Sequence, residues 1–115
     1  MKKEEHHTPD GRFTLVVKYE GDDILIGFAG FGWHTHGSVL AANYALGGVS
    51  GLTPEIAMRR FVEDIISNRA VIAVMKTDGV IRDVWITDDI EKELRYQQPD
   101  EAIEFRYWDG TDARA

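Results

Sequence analysis

The sequence contains no cysteine, only three prolines, and fewer basic than acidic residues. Without cysteine there is no disulfide, no thiolate nucleophile and no sulfur ligand for zinc or an iron–sulfur cluster. That composition suits a reducing compartment, and a cytoplasmic protein is expected. No apolar run is long enough to span a bilayer, and the opening MKKEEHHTPDG lacks the apolar segment of a signal peptide. Thirteen lysines and arginines against 20 acids leave a net charge of −7, which argues against nucleic acid or an anionic membrane as a direct partner.

What is present is enough for one core. A chain of 115 residues that is 43% hydrophobic falls within the usual size of a single domain. Residues 1–11 read as a flexible polar arm, 12–110 as one α+β domain, and 111–115 as a tail. The charge is unevenly spread. Residues 1–82 carry nine basic and ten acidic side chains, whereas residues 83–115 carry four and ten. An acidic end of this kind draws a basic partner by field complementarity, although it also serves solubility.

Alternation and turn signals divide the chain. RFTLVVKYE (12–20) alternates as a half-buried strand and turns through GDD into a second strand, ILIGFAGF (24–31). Seven of the 11 glycines lie between residues 27 and 51. There we expect a connection with a helical turn or two in SVLAANYAL, stopped by Gly47-Gly48. TPEIAMRRFVEDIISN (53–68) predicts an amphipathic helix. Thr53 caps it, Pro54 suits its first position, and Met58, Phe61, Val62 and Ile65 form its apolar stripe. Arg59–Glu63 and Arg60–Asp64 are spaced to pair across its outer face. AVIAVMK (70–76) reads as a central strand, and TDG (77–79) as a hairpin turn into VIRDVWIT (80–87). DDIEKELRYQQPD is an acidic turn or short helix, and AIEFRYWDG (102–110) closes the sheet. The expected architecture is β-β-loop-α-β-β-β: an antiparallel sheet of about five strands with the long helix on one face.

Two histidines stand one residue apart in GFGWHTHGSV. On an extended strand His34 and His36 point the same way and could share one metal ion such as zinc, with a carboxylate as third ligand. Gly32-Trp33-His34-Thr35-His36-Gly37 resembles the His-x-His element of the JAMM/MPN metalloproteases, which supplies two zinc ligands. That resemblance covers six residues and departs from the family pattern. Tyr44 and Gly47 stand where the family's serine and aspartate would follow, and no acid occurs between Asp23 and Glu55. In the alternative reading, an unbroken strand 24–36 gives the histidines the parity of Ile24, Ile26 and Phe28 and turns them toward the covered face as structural residues. No Gly-x-Ser-x-Gly elbow, dinucleotide fingerprint or calcium loop is present. No catalytic residue is therefore assigned.

Parity yields a second candidate. If Val84 and Ile86 face the helix, Asp83 and Trp85 face away; if Ile103, Phe105 and Tyr107 face inward, Glu104, Arg106 and Trp108 face away. With Asp88, Asp89 and Tyr96 in the turn between, these eight residues would make an acidic-aromatic face. Tryptophan, tyrosine and arginine dominate binding hot spots, and acids steer a basic partner. The expectation is a non-enzymatic binding module, of the type of immunity proteins and antitoxins, that occludes a basic toxin or enzyme and needs no cofactor. The alternatives are a metal-dependent enzyme or metal-binding protein built on His34 and His36, and a homo-oligomeric regulatory domain, for instance a homodimer.

Overall fold

A computed structural model describes residues 2–114. Among the described residues the chain forms a single α+β domain of seven strands and three helices: β1 (Lys2–His7), β2 (Thr14–Glu20), β3 (Asp23–Phe28), β4 (His34–His36), α1 (Gly37–Leu46), α2 (Pro54–Ile66), β5 (Val71–Thr77), β6 (Val80–Thr87), α3 (Ile90–Arg95) and β7 (Glu101–Arg106). The α+β class is as expected; the single five-stranded sheet is not. The strands form two antiparallel sheets, one in the order β1-β2-β3-β4 and the other in the order β6-β5-β7. The chain divides there because β4 is only three residues long. Helix α1 begins at Gly37 directly after it, so the backbone leaves the first sheet and the later strands pair among themselves.

One continuous core joins the layers. Leu15 and Val17 of β2 and Ile24, Ile26 and Phe28 of β3 meet Leu40 of α1, Ala57, Met58 and Ile65 of α2, and Ile72, Val74 and Val84 of the second sheet. Helix α2 forms for the expected reasons: the Thr53 hydroxyl accepts a hydrogen bond from the Ile56 amide, and Pro54 opens the first turn. Its surface ion pairs differ from expectation. Arg59 reaches back to Glu55 at 3.5 Å, Arg60 lies over the Tyr44 ring, and Asp64 is taken by Arg69 at 3.1 Å. Strand β5 is central in its sheet, as its apolar residues on both faces require. Asp78 and Gly79 both have positive φ in the turn to β6, which matches the right-handed twist of the hairpin.

The polar arm is in fact an edge strand. Residues 2–7 pair with β2 in register from Lys2↔Tyr19 to His7↔Thr14. With polar side chains on both faces, β1 shows no alternation, and it is held by its ladder and by cross-strand contacts. The Tyr19 hydroxyl donates to Glu4, Lys2 lies over the Tyr19 ring, and His7 bonds the Thr14 hydroxyl. Charges along this outer edge also discourage pairing with another chain. The tail doubles back as well. The Ala113 amide donates to the Phe105 carbonyl, and Asp112 bridges Arg106. Met1 of the expected arm and Ala115 of the tail lie outside the described residues.

An ion pair between a buried arginine and a partly exposed aspartate joins the turn before β2 to the end of β7. Arg106, only 5% exposed, donates to Asp10 at 2.6 Å, to the carbonyls of Tyr107 and Trp108, and lies over the Phe13 ring. Asp10 also accepts from the Thr8 hydroxyl and the Arg12 amide. The hydrogen bond from Arg106, followed by that from Thr8, holds the Asp10 carboxyl far below the usual carboxylate range. Asp10→Ala leaves the buried guanidinium without its carboxylate, but 34% of the Asp10 side chain is exposed and solvent screens the pair, so the expected cost in denaturant unfolding is about 1–2 kcal/mol. Because the folded-state value is depressed, this contribution is complete above the unfolded carboxylate value of about 3.9 and fades as pH falls toward the folded one. The gap in stability between the wild type and Asp10→Ala should therefore narrow below about pH 4. A gap that stays constant on acidification would show that the pair contributes nothing through its charge.

Candidate functional site

The eight residues of the expected acidic-aromatic face do not share a face. In the second sheet Ile72 stands opposite Ile86 on one side and Arg106 on the other, while Ala73 stands opposite Trp85 and Phe105. Opposed residues point the same way, so Arg106 and Glu104 lie on the core side with Val84 and Ile86. Trp85 and Asp83 lie on the far side with Ile103 and Phe105. The assignment of β6 is as expected, and that of β7 is reversed. The reversal has a physical cause. The far side has an apolar layer of its own, in which Ala73 and Phe105 are buried, whereas the core side of β7 supplies the guanidinium that Asp10 requires. Trp108 is 7% exposed and belongs to the core, and Glu104 pairs with Lys76 at 2.7 Å.

What stays together is the far flank and the segment after it. Trp85 is half-buried and Asp83 is partly exposed. Asp89 caps α3 by accepting from the Lys92 amide, and Thr87, on the face of Trp85, donates to Glu93. These bonds fix α3 beside the flank. Tyr96 ends that helix and is 68% exposed. Residues 83–101 hold seven acidic and two basic side chains.

The histidines sit elsewhere, for a reason of register. Strand β3 stops at Phe28, and the chain turns back through a glycine-rich loop into β4. Thr35 stands opposite Ile26, while His34 stands opposite Gly27 and His36 opposite Leu25. The turn reverses the parity expected of an unbroken strand. Both imidazoles therefore lie on the outer face of the first sheet, away from the core, while Trp33 packs toward Phe28 with ring centres 6.3 Å apart. The two imidazoles are 5.3 Å apart between ring centres. His34 Nδ1 bonds the Gly32 carbonyl at 3.2 Å, and His36 Nδ1 bonds the Asp23 carboxylate at 3.0 Å. Among the described residues no group of three or more metal-binding side chains is assembled.

A cleft of about 670 Å³ opens between this hairpin, the two longer helices and the second sheet, with Trp33, Leu40, Phe61 and Ile86 among its walls. Its polar lining includes His34, Asn43, Asp88 and Tyr44, of which Tyr44 donates to Asp64 at 3.3 Å, while Asp64 also accepts from Arg69. Burial, reinforced by the Asp64 charge, pushes the Tyr44 hydroxyl up to about 12, so it remains a neutral donor. The Asp64 carboxylate is thus engaged on both oxygens, and no serine is among the described residues lining the cleft. The sequence reading missed this network because it assigned Asp64 to Arg60, one helical turn away. Comparison with protein-family models, with curated proteins and with solved structures finds no match.

The hairpin that carries the histidines depends on one glycine. A Cβ on Gly27 would lie 2.6 Å from the Trp33 carbonyl oxygen, a backbone atom that cannot yield without moving β4. Gly32 has nothing within 4 Å of the same position and serves as a control. Gly27→Ala is expected to destabilise the protein by about 1–3 kcal/mol and shift the His34 and His36 ring resonances, with little change in Gly32→Ala. Equal melting temperatures for the two variants would contradict the close approach.

Proposed function

We propose that this chain is a non-enzymatic binding protein that engages a basic protein through the flank formed by β6 and α3. It would act as an inhibitor in the manner of an immunity protein or antitoxin. The observation that supports this reading is the coincidence of charge and exposed aromatic surface. Seven acids and two bases lie within residues 83–101, and the same stretch carries the 68% exposed Tyr96 and the half-buried Trp85. Acids at such a site raise the encounter rate with a cationic surface, and a central tyrosine supplies the desolvated anchor. Inhibition follows by occlusion, with the acidic segment occupying a cationic cleft that would otherwise take a polyanionic substrate. Relative to the face read from the sequence, the proposed surface keeps Asp83, Trp85, Asp89 and Tyr96, while Asp88, at the end of β6, lines the cleft beside the two longer helices. Glu104, Arg106 and Trp108 are committed to the fold.

The reading is tested by titrating the purified chain with the basic product of the adjacent reading frame at several salt concentrations. Tyr96→Ala is expected to weaken binding about tenfold or more, chiefly through faster dissociation. Asp83→Lys should slow association and flatten its dependence on salt. Binding undiminished in both variants would remove this flank from the interface.

A further inference from the structure

Each histidine on β4 has one ring nitrogen committed to a group that can only accept. The Gly32 carbonyl and the Asp23 carboxylate offer no proton, so both Nδ1 atoms must be the N–H donors. In the neutral imidazoles this leaves the lone pair on both Nε2 atoms, and among the described residues neither Nε2 has a hydrogen-bond partner. The arrangement matches that of metal-binding histidines, whose second nitrogen is fixed by a carbonyl or carboxylate that sets tautomer and orientation. The spacing fits as well. Two imidazoles on one tetrahedral ion, each at a nitrogen–metal distance of about 2.0–2.1 Å, have ring centres roughly 5 Å apart. These two are 5.3 Å apart on the outer face of the sheet, opposite Gly27 and Leu25, where His34 is exposed and His36 partly so.

We propose that His34 and His36 form a two-histidine site for a divalent ion of the zinc class, with Asp23 as the residue that positions His36. Water completes the coordination, since two protein ligands leave two tetrahedral positions open. The site is separate from the acidic flank of the second sheet and stands or falls independently of the partner proposed for it.

The test uses untagged protein titrated with Zn²⁺ in a calorimeter, and with Co²⁺ for its visible absorption. One ion per chain is expected, with a tetrahedral-type Co²⁺ spectrum. His34→Gln and His36→Gln should each weaken Zn²⁺ binding at least tenfold. Asp23→Asn, which keeps both ligands, should weaken it about tenfold. His7→Gln, on β1 at the opposite edge of the sheet, should leave it unchanged. Circular dichroism establishes that the variants remain folded. A second readout needs no metal: long-range proton–nitrogen spectra should show both rings as the Nδ1–H tautomer. The proposal is overturned by absence of stoichiometric binding, by binding retained when both histidines are replaced, or by Nε2–H tautomers in the metal-free protein.

Discussion

The ion pair between Asp10 and Arg106 joins positions 96 residues apart and decides how the rest of the chain can be arranged. It ties the turn before β2, in the first sheet, to the end of β7, in the second. Once the guanidinium is drawn to the core side, strict alternation places Ile103 and Phe105 on the far side and carries the chain on to seat Trp108 in the core. Burying an arginine is costly, and here its donors are met by a carboxylate, two carbonyls and an aromatic face.

This constraint also sorts the charged surface. Residue parity in the sequence places two of the three tryptophans together on one binding surface, yet Trp108 is internal and Trp85 looks outward beside α3. Acidic side chains are concentrated around that helix, and two of them, Asp89 and Glu93, also hold it in place. The outer face of the first sheet is different in character, with Lys3, Glu5, Lys18 and His34 around a groove and His36 beside His34. The molecule thus presents two chemically distinct flanks on opposite sheets, joined by a single core.

Much of this is legible in the sequence itself. Alternation, capping residues and the Asp78-Gly79 turn locate β2, β5, β6 and α2 closely, because each of those signals is local, whereas β3 and the last strand read as running past their ends at Phe28 and Arg106. What was not legible depends on partners distant in sequence. Strand β1 has no apolar face, so nothing in KKEEHH distinguishes an edge strand from a solvated arm until β2 is beside it. The reversal between Phe28 and His34 lies in a glycine-rich stretch that reads equally well as continued strand, and it moves both histidines to the opposite face. For β7 the alternation was evident but its direction was not, since both faces of the second sheet bury apolar side chains. Only the pairing of Arg106 with Asp10 breaks that symmetry.

The opposed placement of the two indoles is therefore the most economical statement of the fold and of the surface proposed to bind a partner. It is read most directly by acrylamide quenching of tryptophan fluorescence in two variants, one retaining only Trp85 and the other only Trp108, with the remaining indoles changed to phenylalanine. The structure predicts ready quenching of Trp85 and strong protection of Trp108. Equal quenching of the two, or a more accessible Trp108, would contradict both the register of β7 and the binding flank derived from it.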